Sequence, residues 1–197
     1  MSHLNMSKQV LGILGSPCAD GNTAVLLDAV LEGAREAGAQ VERIDVGDLR
    51  INPCDGCRKC DTTGACVRTK DDMRVIYKKI REVDALVLAS PIFFMGVSAQ
   101  LKTMIDRCQC FWIERFVVGR RPYEGMTRPK GLFVSTAGSP KLEVFDPAIH
   151  CVKALFIALD YSYAGEILLA NTDAPDIAEK RRPIVQRARE AGKKLVT

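Results

Sequence analysis

Five short apolar runs, each followed by a stretch with apolar residues at helical spacing, constrain this chain more than any other feature. Runs that are apolar on both faces and alternate with amphipathic segments call for helices on each side of a parallel sheet. Val10 to Leu14 reads as the first strand. Thr23 to Ala37 reads as a helix, with Val25, Leu26, Ala29, Val30 and Ala34 at helical spacing and Gly38 closing it. Val41 to Val46 is the second strand, and Asp71 and Asp72 open a helix through Val83, acidic residues suiting its positive end. Ala85 to Ala89 is the third strand, followed by a helix from Ser98 to Cys108. Residues 114 to 129, rich in Arg, Gly and Pro, form a long excursion before a fourth strand, Gly131 to Ser135. Val144 to Leu159 is helical, Tyr161 to Leu169 is the fifth strand, and Asp176 to Val196 a charged terminal helix. The expected architecture is a doubly wound five-stranded α/β sheet in the order 2-1-3-4-5, with a ligand crevice at the carboxyl ends of strands one and three.

A chain of 197 residues is read as one domain, 9–197, with a cysteine loop inserted at 52–70 and a flexible tail at 1–8. Its composition, 47% hydrophobic and 26% charged, is that of a globular protein rather than a disordered one. A net charge of +4 is far short of the basic stripe of a nucleic-acid binder. No apolar run approaches a membrane span, and Met1 to Lys8 lack the apolar stretch of a secretory signal. A reducing cytoplasm is the expected address, and the scattered thiols agree with it.

Four of the eight cysteines, Cys54, Cys57, Cys60 and Cys66, are spaced C-x2-C-x2-C-x5-C. Thiolates at steps of three let a short loop wrap one corner of an iron–sulfur cluster, and a fourth slightly further on closes the other side. Structural zinc usually draws paired ligands from two separated knuckles, and there is no second C-x-x-C run here. Zinc and redox-active thiols remain the alternatives to a cluster. The last gap of five, followed by Val67, departs from the C-x3-C-P ending of bacterial ferredoxins.

Three further loops are expected to meet at the crevice. After strand one comes Gly15-Ser16-Pro17-Cys18-Ala19-Asp20-Gly21-Asn22-Thr23. The hydroxyls of Ser16 and Thr23 and the N–H groups of a helix start suit a terminal phosphate. The loop has neither the Lys-Ser/Thr pair of a nucleoside-triphosphate site nor G-x-G-x-x-G. After strand three comes Ser90-Pro91-Ile92-Phe93-Phe94-Met95-Gly96-Val97-Ser98, whose aromatic and thioether side chains offer a flat apolar wall for a planar ring. After strand four, Thr136-Ala137-Gly138-Ser139 lets backbone approach a ligand closely.

Taken together and in this order, GSPCADGNTA, CDGCRKCDTTGACVRTKDDM and SPIFFMGVSAQLKTMIDR resemble the NADPH-dependent FMN reductase family of flavodoxin-like proteins, and within it the iron–sulfur flavoproteins. The likeness runs from Val10 to Leu169. It implies a flavodoxin-like three-layer α/β/α fold and FMN, with the phosphate on Ser16, Gly21, Asn22 and Thr23, next to Pro17 and Cys18. The ring is implied to lie against Pro91, Ile92, Phe93, Phe94, Met95 and Gly96 and the loop of Thr136, Ala137, Gly138 and Ser139. A [4Fe-4S] cluster on Cys54, Cys57, Cys60 and Cys66 is implied as well, in a homodimer or homotetramer. Cys18 stands where a basic residue is common in the family, and Phe94 near where a tyrosine is often found.

The expected activity is electron transfer between a reduced carrier, a ferredoxin or NAD(P)H, and a small acceptor such as oxygen, peroxide or a quinone. The alternatives are a cluster-free flavin or quinone reductase and a non-enzymatic flavodoxin-like carrier. No catalytic acid or base is nominated, because the organic chemistry belongs to the cofactor. His150 reads as structural, Cys108, Cys110 and Cys151 as packing, and Cys18 as a loop residue whose place at a helix start favours reactivity. Arg115, Arg120, Arg121 and Arg128 read as a solvated basic face, with an acidic redox partner as the functional alternative.

Overall fold

The computed structural model describes residues 7–174 and 176–197. Residues 1–6 of the expected tail therefore lie outside the described residues. Lys8 is held in place: its ammonium pairs with Asp84 at 2.9 Å, and its carbonyl accepts from Gln40 N at 2.8 Å.

Five strands form one all-parallel sheet: β1 (Gln9–Leu14), β2 (Gln40–Asp45), β3 (Ala85–Pro91), β4 (Lys130–Thr136) and β5 (Ser162–Leu169). Their spatial order is β2-β1-β3-β4-β5, as the apolar runs predict. Side chains alternate between two buried layers. Leu11, Ile13, Leu86, Leu88 and Phe133 face one core, while Val10, Leu14, Val87, Leu132 and Val134 face the other. This two-sided burial is why the central strands read as unbroken apolar runs.

Helices α2 (Met73–Glu82), α3 (Ala99–Arg107), α4 (Gln109–Phe116) and α5 (Asp146–Ala158) cover the first core. On the other side are α1 (Asn22–Glu36), the short α6 (Ile177–Lys180) and α7 (Arg182–Val196). Here α1 and α7 are in near backbone contact. A Cβ on Gly33 would lie 1.8 Å from the Arg189 carbonyl oxygen, and one on Gly192 would lie 1.9 Å from that of Val30.

The structure departs from expectation at three places. The stretch after Cys108 does not run directly into an irregular excursion but forms α4, restarted at Gln109. The helix expected from Val144 divides into a 3-10 turn, Leu142–Phe145, and α5, with Pro147 in the first turn. The terminal helix expected from Asp176 is broken at Arg181 (φ −95°, ψ 65°), and α7 restarts with Pro183 in its first turn, where a missing N–H costs nothing.

Candidate functional site

Register places the three crevice loops side by side. Leu14, the last residue of β1, pairs with Ala89, and Pro91 at the end of β3 pairs with Thr136 at the end of β4. The loops are also stitched to one another. Gly15 N donates to Ala89 O at 2.7 Å, Ile92 N to Thr136 O at 2.8 Å, and Ser135 Oγ to Ser90 O at 2.7 Å.

In the first loop, Ser16 Oγ accepts from Cys18 N at 3.1 Å, and Pro17 and Cys18 are exposed. Gly21 caps α1 without a side-chain hydrogen bond, and the first turn carries no acidic residue. The N–H groups of that turn have no intrahelical acceptor and carry the positive end of the helix dipole. Thr23 and Thr136 are brought together: their hydroxyls are 2.7 Å apart in a buried contact that ties the first loop to the β4 loop. In that pair one hydroxyl donates and the other accepts, so one proton remains to be given elsewhere. The Asn22 side chain is engaged elsewhere, which leaves its backbone N–H, in the first turn of α1, as its group for a phosphate. Its Nδ2 donates to Thr172 O and Ala174 O, and its Oδ1 accepts from Ala178 N at 2.8 Å. Sequence reasoning had no signal for this, since the partners lie some 150 residues on. In the β4 loop Ala137 is buried, and Gly138 presses so closely on Asp173 that a Cβ would lie 1.8 Å from its carboxylate. Ser139 Oγ accepts from Lys141 N at 3.2 Å.

The β3 loop is a tight reverse turn closed by two hydrogen bonds of 3.0 Å, Phe93 N to Gly96 O and Gly96 N to Phe93 O. Both central residues are left-handed, Phe94 at φ 48° and Met95 at φ 63°. That is the geometry of a type I′ turn, which favours Asn and Gly and disfavours bulky side chains. Phe93, Phe94 and Met95 are nonetheless all exposed, Phe94 completely at 106%. Three large apolar side chains held out on a strained turn leave this crevice with an uncovered apolar shelf.

The cysteine loop follows β2 and lies against α3 and α4. Cys54 and Cys57 are exposed, and Cys60 and Cys66 half-buried. All four line one cavity of ≈ 410 Å³, together with Cys110, Arg107 and the apolar wall of Trp112, Ile113 and Val117. Cys110 is therefore a fifth thiol of this cavity as well as a packing residue, a role its place in a C-x-C pair did not reveal. Burial pushes its thiol up to about 11 and raises that of Cys60. The loop's carboxylates are engaged, Asp55 by Arg68 and Asp61 by Arg58 at 2.9 Å. Among the described residues no three His, Cys, Asp or Glu side chains converge as the ligands of a metal ion. Five of the residues that line the cavity are cysteines, a lining that fits a soft metal centre better than a hard cation.

Behind the cavity is Arg107, whose side chain is 1% exposed. It donates to Asn52 O (2.8 Å), Arg68 O (2.5 Å), Asp71 Oδ2 (2.5 Å) and Cys66 Sγ (3.7 Å). Burial opposes ionisation of Asp71, yet the Arg107 fork and Asn52 N–H hold its carboxyl below the usual carboxylate range. Sequence reasoning missed Arg107 because an arginine at the end of an amphipathic helix reads as solvated. Tyr77 OH donates to Arg107 O at 2.8 Å, and burial raises the Tyr77 phenol.

Other candidates do not join either site. His150 is exposed, with Nδ1 2.7 Å from the carbonyl of Asp146 on the same helix. Cys108 is buried, Cys151 half-buried. Two of the four arginines are not a free face: Arg115 and Arg128 reach the buried Asp160 carboxylate at 2.9 and 3.1 Å, tying down the 114–129 segment. Arg120 and Arg121 face Glu114 and Glu124 at 3.9 Å. No helix among the described residues is long and apolar enough to cross a membrane.

Residues 9–164 match the family model of NADPH-dependent FMN reductase. An iron-sulfur flavoprotein of Methanocaldococcus jannaschii is 44% identical over 99 residues, 50% of this chain and 51% of that protein. One from Archaeoglobus fulgidus is 42% identical over 99 residues, 50% of this chain and 44% of the relative. The matches thus span about half the length of these relatives. Among solved structures, a NAD(P)H:quinone oxidoreductase from Methanothermobacter marburgensis aligns with a TM-score of 0.70 at 19% identity, over 96% of this chain and 97% of that one. An FMN-dependent NADH-azoreductase from Bacillus anthracis, in complex with FMN, aligns at 0.67 and 16%, over 96% and 100%. Both likenesses speak to the fold.

Proposed function

Because the chain belongs to the NADPH-dependent FMN reductase family, we propose that it is a flavin-dependent oxidoreductase that binds FMN in the crevice and an iron–sulfur cluster of the [4Fe-4S] type on Cys54, Cys57, Cys60 and Cys66. The observation that carries this reading is the presence in one chain of an apolar shelf beside an uncapped helix start and of a cavity lined by five cysteines. When bound, FMN exchanges electrons singly or in pairs and a cluster exchanges them singly. The chain's own part is placement. The first turn of α1 receives the phosphate, the Thr23–Thr136 pair supplies one hydroxyl proton, and Phe93 to Met95 shield one side of the ring from water. At the other site Trp112, Ile113 and Val117 keep the thiols' surroundings apolar.

On this reading electrons pass from a reduced carrier, NAD(P)H or a ferredoxin-type protein, to a small acceptor such as oxygen, peroxide or a quinone. Exposure of Phe93, Phe94, Met95, Trp112, Phe116 and Val117 around the two sites supports a homodimer or homotetramer. That no three metal donors converge among the described residues favours one second reading, a cluster-free flavin reductase with redox-active thiols. Anaerobic purification, with an absorption spectrum and iron and sulfide measured per flavin, separates the two. A Cys57→Ala variant is expected to lose iron and keep FMN. Loss of both, or neither, contradicts the two-site reading, and a colourless chain that refuses FMN removes it altogether.

A further inference from the structure

Resting on the reading that the thiol cavity holds an iron–sulfur cluster, we propose that Arg107 is the positioning residue of that site, clamping both ends of the cysteine loop and presenting a cation to Cys66. Three observations carry this. First, the guanidinium reaches across the base of the loop: Asn52 O lies just before Cys54, and Arg68 O and Asp71 just after Cys66. Between these anchors the loop has no regular secondary structure apart from turns, so its closure depends on side-chain bonds of this kind. Second, Nη2 also approaches Cys66 Sγ at 3.7 Å, the only one of the four thiols for which such a bond to Arg107 exists among the described residues. Third, Arg107 Nε is buried without a hydrogen-bond partner among the described residues, although the side chain lines the cavity. A buried donor left over on a side chain that lines a cysteine-rich cavity is a donor available to a group bound there.

Charge and shape make separable contributions. A guanidinium offers five N–H donors in a fixed plane, enough to serve four acceptors at once; a lysine carries the same charge on a point and spans fewer of them. A cation beside a metal–thiolate centre favours its more reduced, more negative state. Arg107→Lys therefore keeps the charge and loses the span, and Arg107→Met loses both.

The test uses the full chain prepared anaerobically as wild type, Arg107→Lys and Arg107→Met, with FMN content as the fold control. In metal-free protein, amides of residues 52–70 are expected to exchange at least about tenfold faster in Arg107→Met, with those of the central strands unchanged. Equal loop exchange overturns the clamp. After reconstitution with ferrous iron and sulfide, release of iron to a chelator is expected to be about 10–100-fold faster in both variants. The reduction potential of the centre is expected to fall in Arg107→Met and to hold in Arg107→Lys. Unchanged release, or an equal fall in both variants, overturns the assignment. Should wild type take up no iron, the cluster reading fails by itself and hydrogen exchange still decides the clamp. Should Arg107→Met not fold, Asp71→Asn weakens the same clamp and is judged by the same exchange comparison.

Discussion

Replacing Phe94 with glycine is expected to remove a large aromatic and leave the FMN-free protein as stable as before, or more so. Phe94 is fully exposed, so no buried area is lost. Its φ of 48° is a conformation that costs an L-residue roughly 1–2 kcal/mol. Glycine relieves that cost but gives up about 0.5–1 kcal/mol of chain entropy. The balance lies between about 0 and +1.5 kcal/mol. For a domain of this size that is a rise in Tm of up to about 6 °C. In the presence of saturating FMN the lost contact offsets this gain. An aromatic contact contributes about 0.5–1.5 kcal/mol beyond its buried area, so FMN affinity is expected to fall about 2- to 10-fold. Thermal melts of stripped and FMN-saturated protein, with a fluorescence titration of FMN, measure both quantities. A stripped Phe94→Gly protein destabilised by more than about 1 kcal/mol would refute the strain argument. An unchanged FMN affinity would remove Phe94 from the ring's shelf.

Gly33→Ala places a methyl group 1.8 Å from the Arg189 carbonyl, and the separation of α1 from α7 is expected to cost about 3 kcal/mol; a Tm within 2 °C of wild type, by order of magnitude, would contradict the close approach. The Asp71 carboxyl is held below its unfolded value of 3.8, so its stabilising contribution is full above that value and is lost as pH falls through the lower folded value. Denaturant unfolding followed from pH 5 downward, chosen as roughly one unit above the carboxylate range, is expected to show a steeper acid loss in wild type than in Asp71→Asn, and parallel curves would exclude the Asp71–Arg107 pair as its source.

The sheet order was legible because a parallel sheet buried on both sides writes each strand as an apolar run, as in Ala85 to Ala89. The three crevice loops were legible for the same reason, since they are the segments that follow those runs. Boundaries inside helical stretches were not. Nothing in Arg107-Cys108-Gln109 marks the change from α3 to α4, because both helices continue an apolar pattern across an unpunctuated joint. The Arg181 break carries a signal in Pro183, but charge on either side masks it. Least legible were side chains whose partners are remote. Nothing near Asn22 marks its side-chain bonds to Thr172, Ala174 and Ala178, and nothing near Arg107 marks the loop at 52–71 that closes over it.

Helix α3 is capped by Ser98, whose N–H is held by Ser90 Oγ beside the Phe93–Gly96 turn, and ends at Arg107. Its nine residues make a rod of about 13 Å. One residue more or fewer would rotate the guanidinium by about 100° around the axis and swing it off the loop that it holds. The rod thus acts as a ruler with graduations of a whole turn, and the distance between the strained turn and the thiols changes in steps rather than by gradual drift.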